Sequence, residues 1–175
     1  VTTVLDVGSG AGRHADIMRE HGKTVTTNSL IPPADIIGDF LDIPEDETFS
    51  CIWAAHVLEH QPNVNLFLKK CFRLLPEGGL LAVTVPPMKP EIVGGHLTLW
   101  NAGLLIYNAI IAGFDCSEAK VKTYGYNISL LVRKKSFKMP ALHMDCGDIE
   151  KLHSFFPFKA KQGFNGEIDE IAWRG

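Results

Sequence analysis

The chain has no C-x-x-C pair, and its four cysteines (Cys51, Cys71, Cys116 and Cys146) are scattered over 175 residues. That spacing argues against a zinc ribbon and against a disulfide framework. Three of the four sit in or beside apolar runs, where a free thiol behaves as a small core residue, so a reducing, cytoplasmic setting is expected. Basic charge is not in excess: 17 Lys and Arg against 20 Asp and Glu give a net charge of -3 and a pI near 6.2. No footprint for nucleic acid follows from that balance. The most apolar span, residues 102–114, is broken by Asn108 and too short to cross a bilayer, so no membrane partner is expected. No basic start followed by an apolar run and a cleavage site opens the sequence, so no secretory leader is expected. An initiator methionine is lacking too, and a buried strand begins almost at once, so a missing N-terminal segment is expected.

What is present is ordinary globular composition, 46% hydrophobic and 21% charged, enough to bury the core of one domain. The β-branched run 1–8 ends in glycine and reads as a buried strand, followed by a helix over 11–21 closed by Gly22. Strands follow at 24–28, 34–39 and 49–55. Over 64–75 the apolar residues Val64, Phe67, Leu68, Cys71, Leu74 and Leu75 form a helical stripe, which leaves Lys69, Lys70 and Arg73 for the wet side. A fifth strand at 80–85 precedes a helix over 100–112. The segments 119–124 and 127–133 make an antiparallel pair about Gly125, and Arg133-Lys134-Lys135 reads as a solvated strand end. The alternation implies an α/β fold, doubly wound, with a mostly parallel seven-stranded sheet whose last strand is antiparallel. Residues 1–135 form that domain. Residues 136–175 fall outside the pattern as an appendage, with a helix candidate at 148–156 and a strand candidate at 167–173.

Two motifs compete for the chemistry. HVLEH (His56 to His60) satisfies H-x-x-E-H, a zinc-peptidase pattern in which two histidines bind metal. That reading needs a third ligand on a downstream element and a helix long enough to carry the pair, and Pro62 limits any such helix, so no metal is expected. His143, Asp145 and Cys146 are also metal-capable but have no second cluster to support them. The other motif is the turn Gly8-Ser9-Gly10-Ala11-Gly12, which joins a buried strand to a helix. Glycine lets backbone approach a ligand closely there, and the free amides at a helix start favour an anionic or polar group. Arg13 stands where a dinucleotide fingerprint needs its third glycine, and the phosphate-binding G-x-x-x-x-G-K-[ST] pattern is absent. A purely structural strand–turn–helix is the bland alternative.

Four segments in order resemble class I S-adenosylmethionine-dependent methyltransferases, in particular their small-molecule branch with ubiquinone-pathway and sugar enzymes. These are VLDVGSGAGRHA, IIGDFLDIP, FSCIWAAHVLEHQPN and FRLLPEGGLLAVTVP, and the similarity runs from Val4 to Lys134. The resemblance implies a Rossmann-like fold and S-adenosylmethionine as cofactor. It places Gly8, Ser9, Gly10 and Gly12 against the methionine part and Asp6 near its amino group, where Asp6 can equally cap the turn. At the residue that takes the ribose hydroxyls, usually acidic, this chain has Asn28, whose amide lacks the charge that strengthens such bonds. Asp39 matches the adenine-binding aspartate, or is simply turn-forming, with the Phe40 amide facing the ring. Ala54, Ala55 and His56 line the methionine end.

Methyl transfer is chiefly positioning catalysis, aided by a general base when the acceptor is a hydroxyl. Histidine suits that role, and His96 and His56 are the catalytic candidates, with His60 near them. His96 lies in PPMKPEIVGGHLTLWN, a loop placed to cover the acceptor, with Trp100 as a wall; helix capping and core packing are their bland alternatives. Glu59 is read as a structural hydrogen-bond partner. The expected function is O-methylation of a sugar or similar small metabolite, in a monomer or a homodimer. The rivals are a catalytically inactive S-adenosylmethionine-binding partner domain, a nicotinamide oxidoreductase and a zinc hydrolase.

Overall fold

The computed structural model describes residues 1–173. Its centre is an eight-stranded sheet in the order β3-β2-β1-β4-β5-β7-β6-β8. The strands are β1 (Thr3–Val7), β2 (Thr24–Ser29), β3 (Ile36–Ile37), β4 (Cys51–Ala55), β5 (Leu80–Val85), β6 (Lys120–Tyr124), β7 (Asn127–Arg133) and β8 (Glu170–Ile171). The first five run parallel, while β7 is antiparallel to both β5 and β6. The eighth strand corrects the expected seven: the 167–173 candidate contracts to two residues that pair with the outer edge of β6. The 34–39 candidate likewise contracts to Ile36–Ile37, because the chain turns at Gly38 and Asp39 opens a short 3-10 turn over Phe40–Asp42.

Alternating side chains along the strands feed two cores. Val4, Val25, Cys51 and Ala82 pack under Ala15 of α1 (Arg13–Glu20) on one face. Leu5, Ile52, Leu81 and Val83 pack on the other face with α2 (Val64–Leu74) and α3 (Ala102–Ile111). Both α2 and α3 begin at an asparagine, Asn63 and Asn101, whose side chain accepts from the amide three residues on. α3 buries Ala102, Gly103, Leu105, Ile106, Ala109 and Ile110, packing on α2 and the sheet, and leaves a narrow stripe at Leu104 and Asn108 open, so its largely apolar run suits its place.

Two lysines depart from the pattern. Lys70 is 3% exposed rather than on the wet side of α2: its ammonium donates to the carbonyls of Leu41 and Ile43 and lies 5.5 Å from the centre of the Phe40 ring. Lys134, expected at a solvated strand end, is half-buried and donates to the Phe72 and Leu75 carbonyls at the end of α2. A cation there satisfies orphan carbonyls and complements the helix dipole.

The segment after residue 135 packs on this body. Leu152 of α4 (Asp148–Leu152), Phe156 and Ala160 enter the larger core, and the Phe156 ring stacks on Tyr107 of α3 at 6.3 Å. The Gly103 amide donates to the Gly166 carbonyl, and Thr123 of β6 bonds the Ile168 and Asp169 carbonyls.

Candidate active site

The carboxyl ends of β1, β2, β4 and β5 converge on one edge, the edge at which doubly wound sheets bind ligands. At the end of β1 the turn is fixed by the Ser9 amide donating to the Asn28 carbonyl and the Gly12 amide donating to the Ser9 carbonyl. Gly8 has φ +68, and a β-carbon there would meet Val57 at 2.4 Å, so only glycine fits between the turn and the β4 exit. Gly12, also left-handed, precedes α1, and no side chain caps that helix. A β-carbon at Gly10 or Gly12 would meet nothing within 4 Å, so the turn is open in front of the uncapped helix start.

Below the turn, Asp6 is 2% exposed, and its Oδ2 has no hydrogen-bond partner among the described residues. Burial pushes its carboxyl up to about 6, against a smaller opposing pull from Arg19. An unpaired carboxylate is costly inside a protein unless a ligand completes it, and a ligand ammonium does so. The turn-capping alternative finds no bond in the described residues.

Asn28, next to last in β2, lies opposite Val7 of β1 and Ile36 of β3. Its Nδ2 donates to the carbonyls of Ile36 and Gly38, at 3.2 and 3.0 Å. Both amide hydrogens are thereby used, and its carbonyl oxygen is what it offers to a hydroxyl. A carboxylate in the same place would face two carbonyls, which is why an amide suits this position. Asp39 accepts from the Leu41 amide through Oδ1 and so caps the 3-10 turn, while Phe40 sends its ring into the core against Phe67 at 4.7 Å.

Past β4 the chain bends sharply. Ala54 is buried, Ala55 half-buried, and His56 adopts φ 56, with its amide donating to the Thr84 carbonyl. HVLEH is not a helix; only Leu58–His60 form a 3-10 turn. The hub is Glu59, 1% exposed. One carboxylate oxygen, Oε1, lies 3.3 Å from His56 Nδ1 and 3.8 Å from His60 Nε2, and the other has no partner among the described residues. Its backbone carbonyl accepts from the amides of Leu97 and Thr98 and so holds the loop that carries His96. His56 Nε2 meets Asn127 Oδ1 at 2.8 Å, and His60 Nδ1 meets the Gly95 carbonyl at 2.8 Å. His60 and His96 lie edge to face, 5.1 Å between ring centres. A cavity of about 260 Å³ opens beside them, lined by His96, Lys89, Trp100 and Tyr126. Trp100 is both core and wall: it is 3% exposed and donates through Nε1 to Thr98.

The structure therefore gathers Asp6, the glycine turn, Asn28 and Asp39 along one side of the edge, and His56, His60 and His96 about the β4 and β5 exits. Asn127, Tyr126 and the buried state of Glu59 have no signal in the sequence, since the β6–β7 turn reaches this edge only in the folded sheet. His143 lies 3.9 Å from Asp145 away from this group.

A glycine turn after β1, a parallel sheet reversing direction at β1/β4 and an antiparallel β7 define a class I S-adenosylmethionine-dependent methyltransferase domain. The chain belongs to the family described as methyltransferase domain, whose model matches residues 1–112. S-adenosylmethionine is the cofactor of that class, and the open helix start and the orphaned Asp6 oxygen fit it. Among curated proteins, a 2-methyl-6-phytyl-1,4-hydroquinone methyltransferase of a Synechocystis sp. strain is 31% identical over 100 residues, covering 47% of this chain and 31% of that protein. The match thus spans less than a third of that relative's length. The fold is similar to that of a Burkholderia thailandensis 1,6-didemethyltoxoflavin-N1-methyltransferase with bound S-adenosylhomocysteine, with TM-score 0.66, 17% identity and coverage of 77% of this chain and 71% of that one. It is also similar to that of a SAM dependent methyltransferase from Archaeoglobus fulgidus, with TM-score 0.65, 12% identity and coverage of 76% and 86%. At such identities these two likenesses concern the fold alone. No helix among the described residues is long and apolar enough to cross a membrane.

Proposed function

We propose that the protein transfers the methyl group of S-adenosylmethionine to a hydroxyl of a small acceptor, a sugar or similar metabolite. The observation that carries this reading is the cavity lined by His96 and walled by Trp100, which stands at the β5 exit, Pro86 and Pro87, on the edge that carries the glycine turn. When bound, the cofactor supplies an electrophilic methyl on a sulfonium. The chain's own residues do the rest. Gly8, Ser9, Gly10 and Gly12 bring backbone amides to the methionine part, and Asp6 accepts from its ammonium. The Asn28 carbonyl oxygen accepts from ribose, Asp39 uses its remaining oxygen for adenine beside the Phe40 amide, and Ala54 and Ala55 line the methionine end. His56 and His96 are placed to take the hydroxyl proton, and the loop from Pro86 to Trp100 excludes water.

Calorimetry with S-adenosylmethionine and S-adenosylhomocysteine on the 175-residue chain tests the cofactor half. Binding of neither nucleotide to folded protein overturns the reading. Mass-spectrometric detection of methyl transfer across a panel of hydroxyl acceptors tests the other half, and cofactor binding without transfer to any acceptor identifies a binding domain instead.

A further inference from the structure

We propose that Glu59, His60 and His96 form a binding site for one divalent first-row transition-metal ion at the acceptor end of the sheet, flanked by His56. One ligand-capable atom from each of the three lies within 4.8 Å of the others. No other group of three such side chains occurs among the described residues. Ligands on one zinc ion at about 2.1 Å stand roughly 3.4 Å apart in a tetrahedron, so closure asks for movements on the order of an ångström. His96 is on a loop and only half-buried, so it is free to make them. The ligand set differs from that of H-x-x-E-H, because Glu59 rather than His56 joins His60, and this loop supplies His96.

The placement of the ring nitrogens suits a cation at this point. A backbone carbonyl can only accept, so the 2.8 Å contact to Gly95 makes His60 Nδ1 the protonated nitrogen. The other ring nitrogen, Nε2, faces Glu59 3.8 Å away. His56 repeats the arrangement: Nε2 lies 2.8 Å from Asn127 Oδ1 and Nδ1 lies 3.3 Å from the same Glu59 oxygen. Two imidazole nitrogens thus converge on a carboxylate that is 1% exposed, and its second oxygen has no partner among the described residues. Such an array is unfavourable unless positive charge sits inside it. A metal-binding histidine anchored by its other nitrogen to a carbonyl is the arrangement that fixes tautomer and ring orientation at metal sites. Two imidazoles and one carboxylate, without thiolate, suit zinc, cobalt, nickel or iron better than magnesium or calcium.

Three protein ligands leave a coordination position open, the arrangement of catalytic rather than structural sites. The cavity beside it is lined by His96, one of the three. This last step rests on the methyl-transfer reading: an acceptor hydroxyl at the open position gives its proton to His56 Nδ1, which passes it to solvent. The oxygen keeps the O–H electron pair for attack. His96 is then a ligand rather than a base.

Cobalt(II) titration of the chelator-treated 175-residue chain, without cofactor or acceptor, tests the site by its visible d–d absorption, with zinc calorimetry for stoichiometry. One equivalent is expected. His60→Ala, His96→Ala and Glu59→Gln should each weaken binding more than about tenfold, and His143→Ala should leave it unchanged. Because buried Glu59 substitutions risk folding, circular dichroism accompanies each variant, and His96→Ala, in a loop, keeps the test decisive on its own. Absence of binding, or binding that survives His96→Ala, overturns the proposal. Cofactor binding that persists in chelator-treated wild type separates its failure from failure of the methyl-transfer reading.

Discussion

Asn28 lies across from Ile36 in the β2–β3 register and donates both amide hydrogens, one to the Ile36 carbonyl and one to that of Gly38. The side chain thus pins the two-residue edge strand and the turn that leads to Asp39. Asn28→Asp restores the acidic residue that related enzymes use at this place, yet it sets a carboxylate against two carbonyls. A loss of about 2 kcal/mol is expected, with a melting temperature lower by on the order of 5 °C. Affinity for S-adenosylhomocysteine should not improve. Thermal unfolding and calorimetry on the same variant check both statements, and tighter binding would show that the hydrogen bonds to β3 matter less than the charge.

Asp6 gives a pH dependence with a definite sign. Its carboxyl titrates near 6 in the folded protein, because burial disfavours the charge, and near 3.9 in an unfolded chain. The folded state therefore binds more protons between those values, and Asp6 contributes stability that is complete below about pH 4 and lost as pH rises through 6. A cofactor ammonium selects the ionised form, so affinity runs the other way. It should rise about tenfold between pH 5 and pH 7 for one linked proton. Asp6→Asn should flatten this profile and weaken binding at pH 7. A wild-type affinity independent of pH over that range would remove Asp6 from contact with the amino group.

Local features were legible in the sequence. Gly8 to Gly12 declares itself because a tight turn between strand and helix leaves few other choices, α2 follows from its apolar spacing, and α3 lies inside the helix expected over 100–112. Long-range ones were not. Lys70 stands at the flank of the α2 stripe, and the carbonyls that bury it belong to Leu41 and Ile43, 29 and 27 residues away. The strand candidate over 167–173 carries no mark of the edge it joins, since a two-residue pairing with β6 is settled by how the appendage packs on α3. His56, Glu59, His60 and His96 were each visible, but their convergence depends on the left-handed bend at His56 and on the Leu97 and Thr98 amides that fasten the loop to Glu59.

Gly8 and Gly12 share a left-handed backbone but differ in surroundings. Alanine at Gly12 meets nothing, so Gly12→Ala carries only the conformational penalty, about 1 kcal/mol. Gly8→Ala adds a collision with Val57 and should lose about 1–3 kcal/mol more. Placing Val57→Ala beside it should recover much of that second part but not the first. A double-mutant cycle by chemical denaturation measures the coupling. Equal losses at the two glycines would mean that the turn and the β4 exit can part at little cost.

Lys70 ties α2 to the turn that presents Asp39 and Phe40. Burial lowers its pKa, partly offset by Glu45, yet its ammonium holds two carbonyls that no strand or helix satisfies. Lys70→Met keeps the apolar stem against Phe40 and removes the donor. Relief of the buried charge offsets part of the loss, so the expected destabilisation is modest, about 1–2 kcal/mol. The sharper effect should fall on function: with the 40–43 turn loosened, S-adenosylhomocysteine should bind several-fold more weakly, about 1 kcal/mol by the same lost bonds, while the apparent KM for the acceptor stays near its wild-type value. That split distinguishes a residue that positions the adenine side from one that merely stabilises the fold. Destabilisation with unchanged cofactor affinity would show that Asp39 and Phe40 are held in place without Lys70.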